Sequence, residues 1–296
     1  MNEIPLIDPP IQSMTLADGR NLSWQAFGVP DGNPVLYFHG GGSFSLEAGL
    51  FHREAVQRSI RLIATNRPGA GTTSLCPGRP VAAYSDDLRE LLDHLKVGRF
   101  ACLGESNGGM VTLAVAATLT DRVLGGVPIN PTVPWFDPVA RRVSPCQIGI
   151  GYRAMKYVPW ALPAIARASI ARARKRTAQA QPRAGRFNAA DLIGPPPGTE
   201  PDVGELQWRV MERSEKKALP PELAWATSDW GFDYYAIPAP LDFFCGVHDA
   251  QAPFALVLAD ANPDARFHHF PYGHHAFSLP ETRRRLFDMI ASYFRR

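Results

Sequence analysis

The sequence predicts an α/β protein, a mostly parallel sheet with helices on both faces and one inserted, mainly helical segment. Three observations predict it. Short apolar runs alternate with stretches of helical spacing from about residue 20 to residue 130. The alternation stops near Pro131 and resumes after Pro238. Several apolar runs end in glycine-rich loops, the edge at which open parallel sheets keep their ligand sites. The expected division is a core of residues 1–130 and 237–296, with residues 131–236 forming a helical lid.

The elements follow in order. Ser13–Leu16 and Asn21–Phe27, joined across Asp18-Gly19, read as a hairpin. Val35–Phe38 is a short strand ending in His39-Gly40-Gly41-Gly42-Ser43. Phe51–Arg58 has helical spacing. Arg61–Ala64 is a strand that runs into Asn66-Arg67-Pro68-Gly69-Ala70-Gly71. Between Val81 and Leu95, Tyr84, Leu88, Leu91, Leu92 and Leu95 recur on one helical face. Arg99–Leu103 is a buried strand, Met110–Ala117 a helix and Val123–Val127 a strand. The middle segment shows no strand alternation and holds five of the six tryptophans, Trp135, Trp160, Trp208, Trp225 and Trp230. It also carries a basic helical stretch, Ala166–Arg176, and the breaker Gly194-Pro195-Pro196-Pro197-Gly198. Leu241–Cys245 and Arg266–Phe270 are the last strands. Phe254–Ala261 and Glu281–Phe294 are the last helices.

Bulk properties narrow the function. Hydrophobic residues at 45% and charged residues at 20% are those of an ordinary globular chain long enough for one large core. A net charge of +3 implies no nucleic-acid partner. No apolar run reaches the roughly 18 residues of a membrane span. Met1–Pro5 lacks the basic and apolar regions of a signal peptide, so a cytoplasmic location is the expectation. Cys76, Cys102, Cys146 and Cys245 have no metal-type spacing, and four free thiols are expected, Cys102 and Cys245 as small buried hydrophobes.

The chemistry concentrates at Gly104-Glu105-Ser106-Asn107-Gly108-Gly109, between a strand and a helix. A serine on such a turn is lifted out of the sheet in a strained backbone conformation. Neighbouring side chains would collide with it, hence the flanking glycines. A serine hydroxyl needs a base, usually histidine held by a carboxylate. Two later strand ends supply candidates. Gly246-Val247-His248-Asp249 follows one strand and Pro271-Tyr272-Gly273-His274-His275 the next. The interval between Asp249 and His274 accommodates one helix and one strand, which puts the two on adjacent strand ends. On residues alone His274 and His275 are both open as the base. His248, His268 and His269 read as strand or loop residues rather than metal ligands.

In combination these motifs resemble the α/β-hydrolase fold family: His39-Gly40, Arg67 to Gly71, the serine turn, Gly246 to Asp249, and Gly273-His274. The resemblance covers about residues 20–130 and 237–296. It implies Ser106 as nucleophile, His274 as general base and Asp249 as its orienting acid. It further implies an oxyanion hole from the backbone N–H groups of Gly41 and Asn107, and His39 as a loop brace. The sequence departs from the family at Asn66, where relatives often have Asp, a position expected to be structural. The implied activity is a cofactor-free serine hydrolase. It would cleave an ester, thioester, lactone or amide of an apolar or aromatic small molecule, with no metal and no nucleic-acid or membrane-spanning role. Gly42, Trp135, Trp160 and Trp230 are candidate substrate contacts. The same three residues could instead serve carbon–carbon bond hydrolysis, lyase, perhydrolase or cofactor-free oxygenase chemistry. A non-catalytic receptor on the same fold is the remaining alternative.

Overall fold

One eight-stranded sheet organises the protein, in the order β1-β2-β4-β3-β5-β6-β7-β8. The computed structural model describes residues 4–177, 194–196, 198–214, 224–271 and 277–295. β1 (Gln12–Thr15) and β2 (Asn21–Gly28) form the expected hairpin, and β2 also pairs antiparallel with β4 (Ile60–Thr65). From β4 onward every pairing is parallel, through β3 (Asn33–Phe38), β5 (Phe100–Glu105), β6 (Val123–Ile129), β7 (Leu241–Gly246) and β8 (Ala265–Phe270). The central strands are buried on both faces, which is why they read as near-continuous apolar runs rather than as alternation.

The crossovers are α1 (His52–Gln57), α2 (Tyr84–His94) and α3 (Asn107–Thr118). α2 shows Tyr84, Leu88, Leu91 and Leu92 to the core and Asp86 and His94 to the outside, as its spacing requires. α3 is apolar all round because it is buried from Asn107 to Ala116. Between β6 and β7 lie α4 (Pro138–Val143), α5 (Cys146–Tyr157), α6 (Leu162–Thr177) and α7 (Pro201–Arg213), with no strand among the described residues. α8 (Ala252–Ala261) and α9 (Pro280–Ser292) complete the chain.

The strand order reverses at β3. The chain steps from β3 outward to β4, then returns to place β5 on β3's other side. Phe38 lies opposite Gly104 in that parallel pair, so the residues leaving β3 and those leaving β5 emerge side by side. In open α/β sheets such a reversal leaves a crevice at the carboxyl ends of the strands.

The tryptophan-rich segment divides. Trp225 and Trp230 belong to the same buried cluster as Leu36 and Cys102 under the sheet. Each indole N–H finds a carbonyl, Arg79 for Trp225 and Trp225 for Trp230. Asp137 caps α4 through Val139 and Ala140 and accepts the hydroxyls of Tyr234 and Tyr235, tying together the two ends of the segment between β6 and β7. Trp160, by contrast, is 74% exposed.

Candidate active site

Three segments meet at the reversal: 39–43 after β3, 106–109 after β5, and 130–132 after β6. Ser106 has φ 53° and ψ −113°, a conformation rarely adopted by a residue with a side chain. The turn closes through backbone bonds. The Ser106 N–H donates to the Ile129 carbonyl at 2.9 Å, while the Ser106 carbonyl accepts from Met110 and Thr132.

The glycines around it are contact glycines. A Cβ on Gly104 would lie 2.3 Å from the Gly108 carbonyl oxygen, and one on Gly108 would lie 1.9 Å from the Phe38 carbonyl oxygen. A Cβ on Gly109, beyond the usual motif, would lie 2.8 Å from the Pro131 Cα. The helix start is thus pressed against the ends of both neighbouring strands, and only hydrogen fits between.

The loop after β3 is held from below by a buried cation. Arg67, fully buried, donates to the carbonyls of His39 and Gly40. His39 adds its ring: Nδ1 donates to the Gly40 carbonyl at 2.8 Å and Nε2 accepts the Arg67 N–H at 3.4 Å. Burial, with Arg67 beside it, holds the His39 imidazole well below its ordinary pKa, so the ring is neutral. In a planar trans peptide the C=O and the following N–H point in opposite directions. Fixing the Gly40 carbonyl on Arg67 and His39 therefore turns the Gly41 N–H away from them.

Glu47 completes the brace. Its Oε1 accepts the Gly40 N–H at 2.8 Å and the Tyr37 hydroxyl at 2.5 Å. Burial and the charge of nearby Glu105 push the Glu47 carboxyl up to about 7. Glu105, the residue before Ser106, reaches the same loop; a Cβ on Gly40 would lie 2.2 Å from its Oε2. Sequence reasoning singled out His39 as a brace and Arg67 as part of a motif, but it missed Tyr37, Glu47 and Glu105, because an isolated glutamate in a chain reads as surface.

Asn107, first residue of α3, has a backbone N–H with no partner inside its own helix. Its Oδ1 accepts from the Thr132 hydroxyl at 2.6 Å. Its Nδ2 is buried without an acceptor among the described residues and underlies Gly41, whose Cβ would meet it at 2.9 Å.

Asp249 is buried just beyond β7. Its Oδ1 accepts the Gln251 N–H at 2.7 Å, which helps launch α8, and its own N–H donates to Gly246. Asn130 links this loop to the serine turn. It follows Ile129 with φ 40°, donates its N–H to Phe244, accepts the Gly246 N–H on Oδ1, and accepts from Gln251 on its carbonyl. An asparagine just before Pro131 was the only available signal for this role. His274 and His275 lie outside the described residues.

The remaining candidates are placed as follows. Gly42 is buried with φ 66°, a backbone conformation that suits glycine. Trp135 is half-buried and stacks on Tyr152 at 5.1 Å. Trp230 is fully buried and Trp160 exposed. Asn66 is structural: it accepts the Ser45 N–H on Oδ1 and donates to Ser23 Oγ. His268 pairs with Asp242 at 2.6 Å, and Asp242 also takes Arg266 and Tyr293. Asp242 is near the start of β7, the opposite edge of the sheet from Asp249. No group of three or more metal-type ligands occurs among the described residues.

Comparisons with known proteins agree on the fold. A family model described as the alpha/beta hydrolase fold matches residues 33–277. The dihydrolipoyllysine-residue acetyltransferase component of the acetoin cleaving system of Pseudomonas putida is 35% identical over 106 residues, 36% of this chain and 28% of that protein. A proline iminopeptidase of Arabidopsis thaliana is 27% identical over 124 residues, 38% of this chain and 30% of that protein. The match thus spans less than a third of these curated relatives' length. Among solved structures, a hydrolase from Pseudomonas aeruginosa PA01 superimposes with a TM-score of 0.68 at 20% identity, covering 96% of this chain and 98% of that one. An enol-lactonase from Burkholderia xenovorans LB400 gives 0.67 at 18% identity, covering 96% and 100%. At these identities the likeness is one of fold.

Proposed function

Because the chain belongs to the α/β-hydrolase fold family, we propose that it is a serine hydrolase acting through an acyl-Ser106 intermediate. The neighbours named as hydrolase, lactonase and peptidase support the hydrolase class. The observation that carries the finer reading is Ser106 itself, held at positive φ at the end of β5 beside a loop whose Gly40 carbonyl is tied down on Arg67.

In this mechanism His274 takes the Ser106 hydroxyl proton as Oγ attacks the substrate carbonyl. Asp249 fixes the imidazole tautomer and stabilises the imidazolium. The carbonyl oxygen becomes an oxyanion and accepts the N–H groups of Gly41 and Asn107, each worth about 3 kcal/mol in the barrier. His274 returns the proton to the leaving alcohol, thiol or amine as the tetrahedral intermediate collapses. Water, deprotonated by His274, then releases the acid and restores Ser106. Esters, thioesters, lactones and amides with an apolar or aromatic acyl group are the substrate class, with Gly42 and Trp135 beside the acyl chain.

The test is hydrolysis of short-chain and aromatic p-nitrophenyl esters. Turnover that falls by about a thousandfold or more in Ser106→Ala is the expected result. Equal rates in the two proteins overturn the proposal.

A further inference from the structure

Residues 138–177, which span α4, α5 and α6, hold nine Lys and Arg and no Asp or Glu. The whole chain has a net charge of +3, so the other 256 residues carry −6. The charge is concentrated in one stretch of the insertion. Arg174 is neutralised by Glu205 and Glu212 of α7. Arg153, Lys156, Arg167, Arg172 and Lys175 are exposed and enter no ion pair among the described residues.

Apolar side chains stand among these cations. Ile150, Tyr157, Trp160 and Ile165 are 67%, 65%, 74% and 53% exposed. Ile150, Arg153 and Tyr157 share one face of α5, being three and seven residues apart. Lys156 Nζ lies 5.7 Å from the centre of the Tyr157 ring. Trp160 occupies the short turn Pro159–Ala161 between the helices. Ile165 begins an exposed stripe on α6 that continues through Ala168, Arg172 and Lys175.

Two kinds of partner fit poorly. A second copy would bring two uniformly positive faces together, and like charges facing each other repel. Nucleic acid would take the cations but leave Ile150 and Ile165 without an apolar contact. A lipid–water interface takes both halves. Tryptophan and tyrosine favour headgroup depth, aliphatic side chains enter the acyl boundary, and flanking Lys and Arg are attracted to anionic headgroups.

We propose that the α5–α6 face of the insertion docks on the surface of an anionic lipid bilayer. Trp160, Tyr157 and the two isoleucines seat in it, and Arg153, Lys156, Arg167, Arg172 and Lys175 pair with headgroup phosphates. The inference is independent of the chemistry at Ser106.

The experiment is co-sedimentation of the full chain with vesicles of phosphatidylcholine plus phosphatidylglycerol, against vesicles of phosphatidylcholine alone. Binding to the anionic vesicles that weakens with salt is expected, with about a tenfold or greater loss in R167E/R172E and in Y157S/W160S. Circular dichroism melting verifies that each variant is folded. If Y157S/W160S does not fold, quenching of indole fluorescence by brominated phosphatidylcholine in the mixed vesicles replaces it, using the unaltered chain and Trp160→Phe. Quenching lost in Trp160→Phe supports the proposal. Absence of binding, equal binding to neutral vesicles, or binding and quenching unchanged in the variants overturns it. So does tighter binding to duplex DNA at the same salt, or a lipid-free dimer that Y157S/W160S dissolves.

Discussion

The serine edge of the sheet and the α5–α6 stretch between β6 and β7 are built on opposite terms. At the edge, polar groups are buried and held: Arg67 lies under two loop carbonyls, Glu47 under Gly40 and Tyr37, and Asn130 between β6 and β7. Its glycines leave no room for a methyl group. In the α5–α6 stretch the charges are of one sign and exposed, and large apolar side chains face outward. The first region is specified by packing, so small changes there are costly. The second is specified by its surface, so changes there alter what the protein meets more than whether it folds.

Gly108→Ala tests that contrast most severely. Its Cβ would sit 1.9 Å from the Phe38 carbonyl, a backbone atom that cannot yield. We expect a loss of about 3 kcal/mol or more, or no folded protein, read by urea unfolding. Paired tryptophan truncations compare the regions directly. Trp230→Ala, at a fully buried ring stacked on Phe232, should lose about 3–5 kcal/mol. Trp160→Ala should change stability by no more than about 0.5 kcal/mol. Similar losses in the two variants contradict the comparison.

Arg67→Lys keeps the charge but cannot reach both the His39 and Gly40 carbonyls with a planar fork. If the loop supplies the oxyanion donor, kcat on a p-nitrophenyl ester should drop by about tenfold or more while KM stays nearly constant. A rise in KM alone would assign Arg67 to substrate binding instead.

Glu47 gives a smaller effect that depends on pH. Its carboxyl is raised from the ordinary 4.5 to about 7, so the folded chain favours the protonated form. The stability this brings is full below about 4.5 and declines as pH rises toward 7, where the folded protein must ionise a buried acid. The decline is at most about 1.4 kcal/mol per pH unit for one proton. In Glu47→Gln the stability curve between those pH values should flatten. An unchanged slope would place the titration elsewhere.

Much of this architecture was legible in the sequence. Every strand proposed from the sequence is present, within two residues at either end. The central ones were legible because parallel strands buried on both faces are apolar throughout, and β1 and β2 through the turn signal at Asp18-Gly19. The serine turn was legible because its glycines answer a steric demand that leaves a local trace. Of the brace under Gly40, only His39 and the Arg67 motif were. Tyr37, Glu47, Arg67 and Glu105 come from four separate segments, and nothing local distinguishes a buried glutamate from a solvated one. The tryptophans were not legible one by one either: Trp160 and Trp230 were both candidate substrate contacts, yet Trp230 fills the core with Trp225 while Trp160 faces water. The basic stretch Ala166–Arg176 was legible as a helical run of charge. Exposed Ile150, Tyr157, Trp160 and Ile165 show that the surface is more than charge.

The activated serine can be tested without knowing the substrate. Incubation with an alkyl fluorophosphonate, followed by peptide mass spectrometry, reads out whether one hydroxyl among many is nucleophilic. A single adduct on Ser106, lost in Ser106→Ala and suppressed in His274→Ala, is the expected result. An intact chain that takes no label, or label spread over other serines with Ser106 unmodified, would contradict it.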